Sequence, residues 1–250
     1  MNFDAPGLVF AAGLVFARLG AILMLLPGIG EPSIPPRLRL SFALLFAIAM
    51  GPLLMPQMPP LPSNALAVGG LVIAEVVTGL MIGAVARIFL STAAVAGQLI
   101  GMSTGLAAAQ TFDPSQGMQG AIIGAFLNLT FVTLLFAVNL HHLLLNAAAN
   151  SYMVFPAGEL PPLNDAAAWA LDAFIDAFRI GVQLAAPLIV FGLVFYLALG
   201  VLSRLMPQAQ IFFIAMPSNI LIGLSIVAMA LGSMGLVWME RMERFAVELG

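Results

Sequence analysis

The sequence predicts an all-α, polytopic integral membrane protein, and three observations carry that prediction. Of 250 residues, 62% are hydrophobic and only 8% are charged, with a mean hydropathy of +1.10. Soluble domains carry about 25% charged residues because water must solvate their surface, so the main solvent of this chain is lipid or other apolar protein. The few charges are also widely spaced. None lies between Arg39 and Glu75, Arg87 and Asp113, Asp113 and Glu159, Arg179 and Arg204, or Arg204 and Glu240. A helix needs roughly 20 apolar residues to cross about 30 Å of hydrocarbon, which these gaps supply. Finally, the apolar stretches are long, rich in Ala, Leu and Met, and show no polar–apolar alternation, so they read as helices rather than strands.

Turn residues divide the gaps into six helical segments near 6–26, 38–55, 65–90, 118–147, 166–203 and 211–238. Arg37 and Arg39 separate the first two segments. Pro52, Pro56, Pro59, Pro60 and Pro62 form the next loop, and Pro156 to Pro162 the one before the fifth segment. The short connector Arg204-Leu205-Met206-Pro207-Gln208-Ala209-Gln210 makes the last two segments an antiparallel hairpin. Pro187 and Pro217 lie inside those two helices and are expected to kink them. The stretch 91–117 fits no simple span: it starts apolar and small, then turns polar. Six spans put Arg37, Arg39 and Arg204 on one side, which the positive-inside rule makes cytoplasmic.

Several function classes fall away. All eight basic residues are arginine and the net charge is −3, so no basic patch for nucleic acid exists. The absence of Cys removes disulfides, thiol catalysis and Cys-ligated metals. No HExxH, GxSxG or P-loop pattern occurs, so no catalytic, cofactor or metal residues are expected. His141-His142 are adjacent, about 100° apart on a helix, and cannot chelate one metal as an i, i+4 pair would. The start Met1-Asn2-Phe3-Asp4 lacks a positive region, so no cleaved signal is expected.

Three constellations remain. Glu75, Gly79, Gly83 and Arg87 recur every four residues and share one helix stripe. Their glycines read as a seam that lets another helix approach closely. Glu75 and Arg87 are too far apart to pair with each other, so each needs a partner elsewhere or an aqueous edge, because a charge at membrane depth is costly. A conduction or proton-relay role is the competing reading of the same stripe. Gly97, Gly101 and Gly105 repeat the spacing, beside Gln98, Ser103 and Thr104. They lead into Gln110-Thr111-Phe112-Asp113-Pro114, so residues 106–117 are either a pore-lining or plugging loop, or an ordinary inter-helix loop. Asp172, Asp176 and Arg179 read as a solvated first turn with an Asp176–Arg179 ion pair. The 15 methionines read as adaptable packing, with a deformable lining around a passenger as the alternative.

Taken together, the residues resemble the FliR/SctT family across nearly the whole chain. The first stretch matches through Arg18, Pro27, Gly30, Pro35 and Arg37, and the centre through Glu75, Gly79, Gly83, Gly97-Gln98, Gly101, Gly105 and Asp113-Pro114. The hairpin matches through Pro187, Gly200, Arg204, Pro207-Gln208 and Pro217; it departs at Ala209-Gln210, where a small or apolar residue followed by Asn is expected. The resemblance implies a non-enzymatic export-gate subunit of a type III secretion system, flagellar on overall similarity, in the bacterial inner membrane at the basal body. It implies an N-terminal FliP-like region over 1–160 and a C-terminal FliQ-like hairpin over 161–250. Partners implied are FliP/SctR-like and FliQ/SctS-like subunits, an FlhB/SctU-like switch protein, membrane lipids and unfolded export substrates in transit, with no cofactor. Residues Ala108, Ala109, Gln110, Thr111, Phe112, Asp113 and Pro114 would be the resting plug. Glu75, Gly79, Gly83, Arg87, Gly97, Gln98, Gly101 and Gly105 would serve helix packing and assembly, and Arg204, Pro207 and Gln208 partner contact. The alternative is a small-molecule secondary transporter with broken helices and midplane charges, against which no convincing inverted repeat is seen. An intramembrane enzyme is remote for want of a nucleophile.

Overall fold

The computed structural model describes residues 5–106, 122–206 and 211–249. The described residues form seven α-helices and no strand. They are α1 (Ala5–Leu25), α2 (Pro36–Leu54), α3 (Ala65–Ser103), α4 (Ile122–Ala137), α5 (Leu140–Val154), α6 (Leu163–Leu205) and α7 (Ile211–Glu248), with a 3-10 turn at Met55–Gln57. Five stretches are long and apolar enough to cross a membrane, or six if α4 and α5 count as one broken span. The all-α polytopic expectation holds.

Local sequence explains most boundaries. Pro36 opens α2 at a position where its fixed φ suits the helix and its missing N–H costs nothing. Asn64 Oδ1 accepts the Leu66 N–H at 2.9 Å and closes the start of α3. That helix does not stop near residue 90 as expected but continues to Ser103, so 91–103 is no separate piece. Its end is set by Gly105, whose φ of +75° suits the position after a helix. The fourth expected segment, 118–147, is instead two helices. Asn139 at φ 59° breaks it, since a single left-handed residue cannot continue a right-handed helix. The last helix runs to Glu248, ten residues beyond the expected 238, because Glu240, Glu243 and Arg244 find exposed positions there.

The chain divides into two compact units, each assembled from separate stretches: residues 1–89, 135–174 and 241–250, and residues 90–134 with 175–240. In the first unit, α1 buries Ala11, Leu14, Val15, Arg18, Leu19, Ile22 and Leu23, the recurrence of a helix with one packed face. It packs on α2 and α5. Trp169 lies 6.2 Å from Phe155 and 6.1 Å from Phe245, and Phe245 lies 5.5 Å from Phe89, tying the starts and ends of the long helices together. The Arg241 guanidinium stands 4.3 Å over the Phe89 ring.

The second unit is knitted by small residues. A Cβ added at Gly97 would collide with the Gly124 backbone, one at Gly223 with Thr104, and one at Gly192 would lie 3.0 Å from the Ser103 carbonyl. The C-terminal part of α3 thereby touches α4, α6 and α7 at backbone distance, the packing that dispersion favours where lipid supplies no hydrophobic drive. Phe131 stacks on Trp238 at 4.9 Å. As expected, α6 and α7 are antiparallel: Asn219 Nδ2 donates to Tyr196 Oη at 3.3 Å, while Gln183 and Pro187 share a cleft with Ala230 and Ser233.

Candidate functional site

The α1–α3 seam holds the most polar chemistry of the described residues, and it lies within the first unit. Arg18 sits on the packed stripe of α1 and Glu75 faces it from α3, both 0% exposed. Arg18 Nε donates to Glu75 Oε2 at 2.6 Å and Nη2 to Oε1 at 3.1 Å, a two-point fork. Arg18 also donates to the Phe155 carbonyl at 2.6 Å and the Pro156 carbonyl at 3.3 Å. Gly158 N–H donates to Glu75 Oε1 at 2.6 Å, and the Tyr152 ring lies 4.0 Å from the guanidinium. Removing two charges from water costs several kcal/mol per ion, and a buried pair persists only when further hydrogen bonds satisfy its remaining groups. Here the loop after α5 supplies them, so the pair also fixes that loop. Gly158 is held at φ +79° with Leu71 and Pro59 against it, a position only glycine fills without strain.

The two glycines between the charges let the helices approach this closely. A Cβ at Gly79 would come 2.5 Å from the Arg18 carbonyl oxygen and 2.8 Å from Ala21 Cβ. One at Gly83 would meet Leu25 Cβ at 2.9 Å and the Ile22 carbonyl at 3.0 Å. At the far end of the stripe, Arg87 Nη1 donates to Glu31 Oε1 at 2.8 Å. The expectation that Glu75 and Arg87 each need a separate partner is met by Arg18 and Glu31, both in or just after α1. Both carboxylate oxygens and all three guanidinium nitrogens are engaged by the protein itself, so the arrangement positions backbone rather than holding a ligand.

The other expected residues are scattered. Gly97 is pressed against Gly124, while Gln98 is exposed. Gly101 has no described atom within 4 Å of where a Cβ would be. Gly105 faces Tyr196 Oη and Asn219 Nδ2, each 3.3 Å from its would-be Cβ. Arg204 is exposed at the end of α6. The plug residues Ala108, Ala109, Gln110, Thr111, Phe112, Asp113 and Pro114 and the connector residues Pro207 and Gln208 lie outside the described residues. Asp176 and Arg179 pair as expected, at 3.7 Å, on a solvated face where such a bond contributes little. Among the described residues no group of His, Asp and Glu could hold a metal ion.

Sequence reasoning did not single out Glu31 or Tyr152, and it placed a loop at Pro156 to Pro162 without connecting it to Glu75. A signal existed for the loop, since Gly158 stands inside a proline-rich turn, but nothing local links it to Glu75, 83 residues away.

Residues 9–245 match the family described as bacterial export proteins, family 1. The chain is 47% identical over 233 residues to the flagellar biosynthetic protein FliR of Caulobacter vibrioides, covering 93% of each. It is 29% identical over 217 residues to FliR of Escherichia coli, covering 84% of this chain and 80% of that one. It is also 31% identical over 148 residues to the Yop proteins translocation protein T of Yersinia pestis, covering 57% and 56%.

Proposed function

The chain belongs to the bacterial export proteins, family 1, the FliR/SctT family, as a non-enzymatic inner-membrane component of the flagellar type III export apparatus, and from that premise we propose its assembly and role. It joins FliP-like and FliQ-like subunits in a closed helical channel for unfolded export substrates, with an FlhB-like switch protein on the cytoplasmic side. Residues 1–160 are its FliP-like part and 161–250 its FliQ-like hairpin. Residues 108–114 close the channel at rest, the Gly97–Gly105 steps pack the helix that leads to them, and Arg204, Pro207 and Gln208 meet a partner.

One structural observation supports protein partners over a solitary life in lipid. Exposed large apolar side chains on α6 run from Leu171 to Leu205. At 1.5 Å per residue that is about 50 Å, well beyond the roughly 30 Å a bilayer covers. Only 22% of the most apolar stretch of α6, and of α7, is buried within the chain. Part of that surface therefore needs protein against it.

Expressed alone, the protein is expected to aggregate or be degraded, whereas co-expression with FliP-like and FliQ-like chains gives a complex that survives size-exclusion chromatography. A stable, monodisperse monomer in mild detergent, with no capture of either chain, would overturn the reading. Deleting residues 108–112 is expected to leave that complex assembled but conductive to ions in planar bilayers. Unchanged conductance would return the segment to an ordinary loop.

A further inference from the structure

The first unit also contains a cavity of about 450 Å³ that neither the ion pair nor the glycine seam uses. Its walls include Leu38 and Phe42 from α2, Phe136 from the end of α4 and Leu145 from α5. Arg39, His141 and His142 also line it, and among the described residues no carboxylate does. Arg39 Nε and His141 Nδ1 are buried without a hydrogen-bond partner. Leaving such a group buried and unpaired is unfavourable, so the cluster suits an acceptor that the described residues do not provide. The neighbouring carboxylate, Glu31, is engaged by Arg87 at 2.8 Å. The His141 ring packs 4.9 Å from Phe136 and 4.1 Å from His142, and the left-handed Asn139 sets where both imidazoles enter α5.

We propose that this cavity binds an anionic phospholipid, with the phosphate on Arg39 and the two imidazoles and an acyl chain along Leu38, Phe42 and Leu145. Arg39 stands in the first turn of α2, within a stretch, Pro36–Gln57, long and apolar enough to span a membrane. That places it where hydrocarbon gives way to head groups. Exposed Leu38, Phe42 and Leu45 continue the apolar surface along the same helix. Arg supplies a permanent cation with a planar fork suited to phosphate. With no carboxylate among the described lining residues, the amine of a zwitterionic head group has no counter-charge there, so net negative lipids are preferred. An acidic peptide would bring backbone N–H and C=O groups that these apolar walls cannot satisfy.

The test uses the full chain synthesised cell-free directly into phosphatidylcholine vesicles, so that lipid meets its apolar faces from the start. The vesicles are doped with diazirine-bearing phosphatidylglycerol or, in parallel, diazirine-bearing phosphatidylcholine. After irradiation, mass spectrometry maps the label. The phosphatidylglycerol probe is expected to label the stretches 34–42 and 136–145 in excess over the phosphatidylcholine probe. Arg39→Gln reduces that excess about fivefold, the effect of one basic residue at an anionic surface, and Arg39→Lys keeps most of it. Labelling of the exposed α6 face at Val194 and Leu197 stays constant and reports that the fold is intact. If Arg39→Gln loses the α6 labelling as well, the exchange His142→Gln takes its place under the same criterion. Equal labelling by both probes, or an excess that survives these exchanges, overturns the proposal. So does loss of the excess when FliP-like and FliQ-like subunits are bound, which would assign the cavity to a protein.

Discussion

Replacing Arg18 with methionine is expected to destabilise the protein by about 3–5 kcal/mol, the cost of removing one partner from a fully buried ion pair. Glu75 would keep the Gly158 N–H but lose its counter-charge, and the Phe155 and Pro156 carbonyls would lose their Arg18 donor. Glu75→Gln should cost less, because its amide oxygen still accepts from Arg18 and Arg18 keeps both carbonyls. The double exchange to apolar residues should cost clearly less than the sum of the single ones, since neither charge is then stranded. Thermal unfolding of the co-expressed complex with FliP-like and FliQ-like chains, in detergent, measures the order of the three. The chain contains no Cys, so a single Ala157→Cys probe reports on the loop, and its alkylation should quicken when Arg18 is lost. An unchanged midpoint and unchanged alkylation in Arg18→Met would show that the pair neither stabilises the unit nor holds the loop.

The second large effect is expected at Gly79. Even alanine there brings a Cβ to 2.5 Å from the Arg18 carbonyl oxygen, and a backbone atom cannot rotate aside as a side chain would. Gly79→Ala should cost about 1–3 kcal/mol as an overpacked contact, and Gly79→Leu more. Because α1 must shift to relieve it, the exchange also displaces Arg18, so Gly79→Ala and Arg18→Met should couple rather than add. Gly69→Ala is the control on the same helix: nothing lies within 4 Å of its would-be Cβ. It should be neutral or stabilising by up to about 1 kcal/mol, the helix-propensity difference. Equal midpoints for the Gly79 and Gly69 variants would mean the seam does not set the α1–α3 distance.

Both predictions rest on features only half visible in the sequence. The spacing of Glu75, Gly79, Gly83 and Arg87 placed them on one face, because a helix repeats every 3.6 residues whatever surrounds it. The costliness of charge in an apolar setting required partners for Glu75 and Arg87. Neither rule says which of the remaining charges answers, since Arg18 is 57 residues from Glu75 and Glu31 is 56 from Arg87. Helix breaks divide the same way. Prolines announce the loops after α2 and α5, whereas the break at Asn139 has no proline or glycine, and the sequence there predicts continuous helix.

The sequence by itself determined that this chain is helical, that its environment is apolar and to which family it belongs, because composition, charge spacing and matched motifs are properties of the chain alone. Only the tertiary structure decided what the repeated glycines touch. Gly79 and Gly83 repeat the same four-residue spacing as Gly97 and Gly101, yet Gly79 and Gly83 admit α1 and Gly97 admits the backbone of α4. Gly101 meets no described atom within 4 Å. Spacing fixes the direction in which a missing side chain leaves room, and the path of a distant segment fixes whether anything fills it.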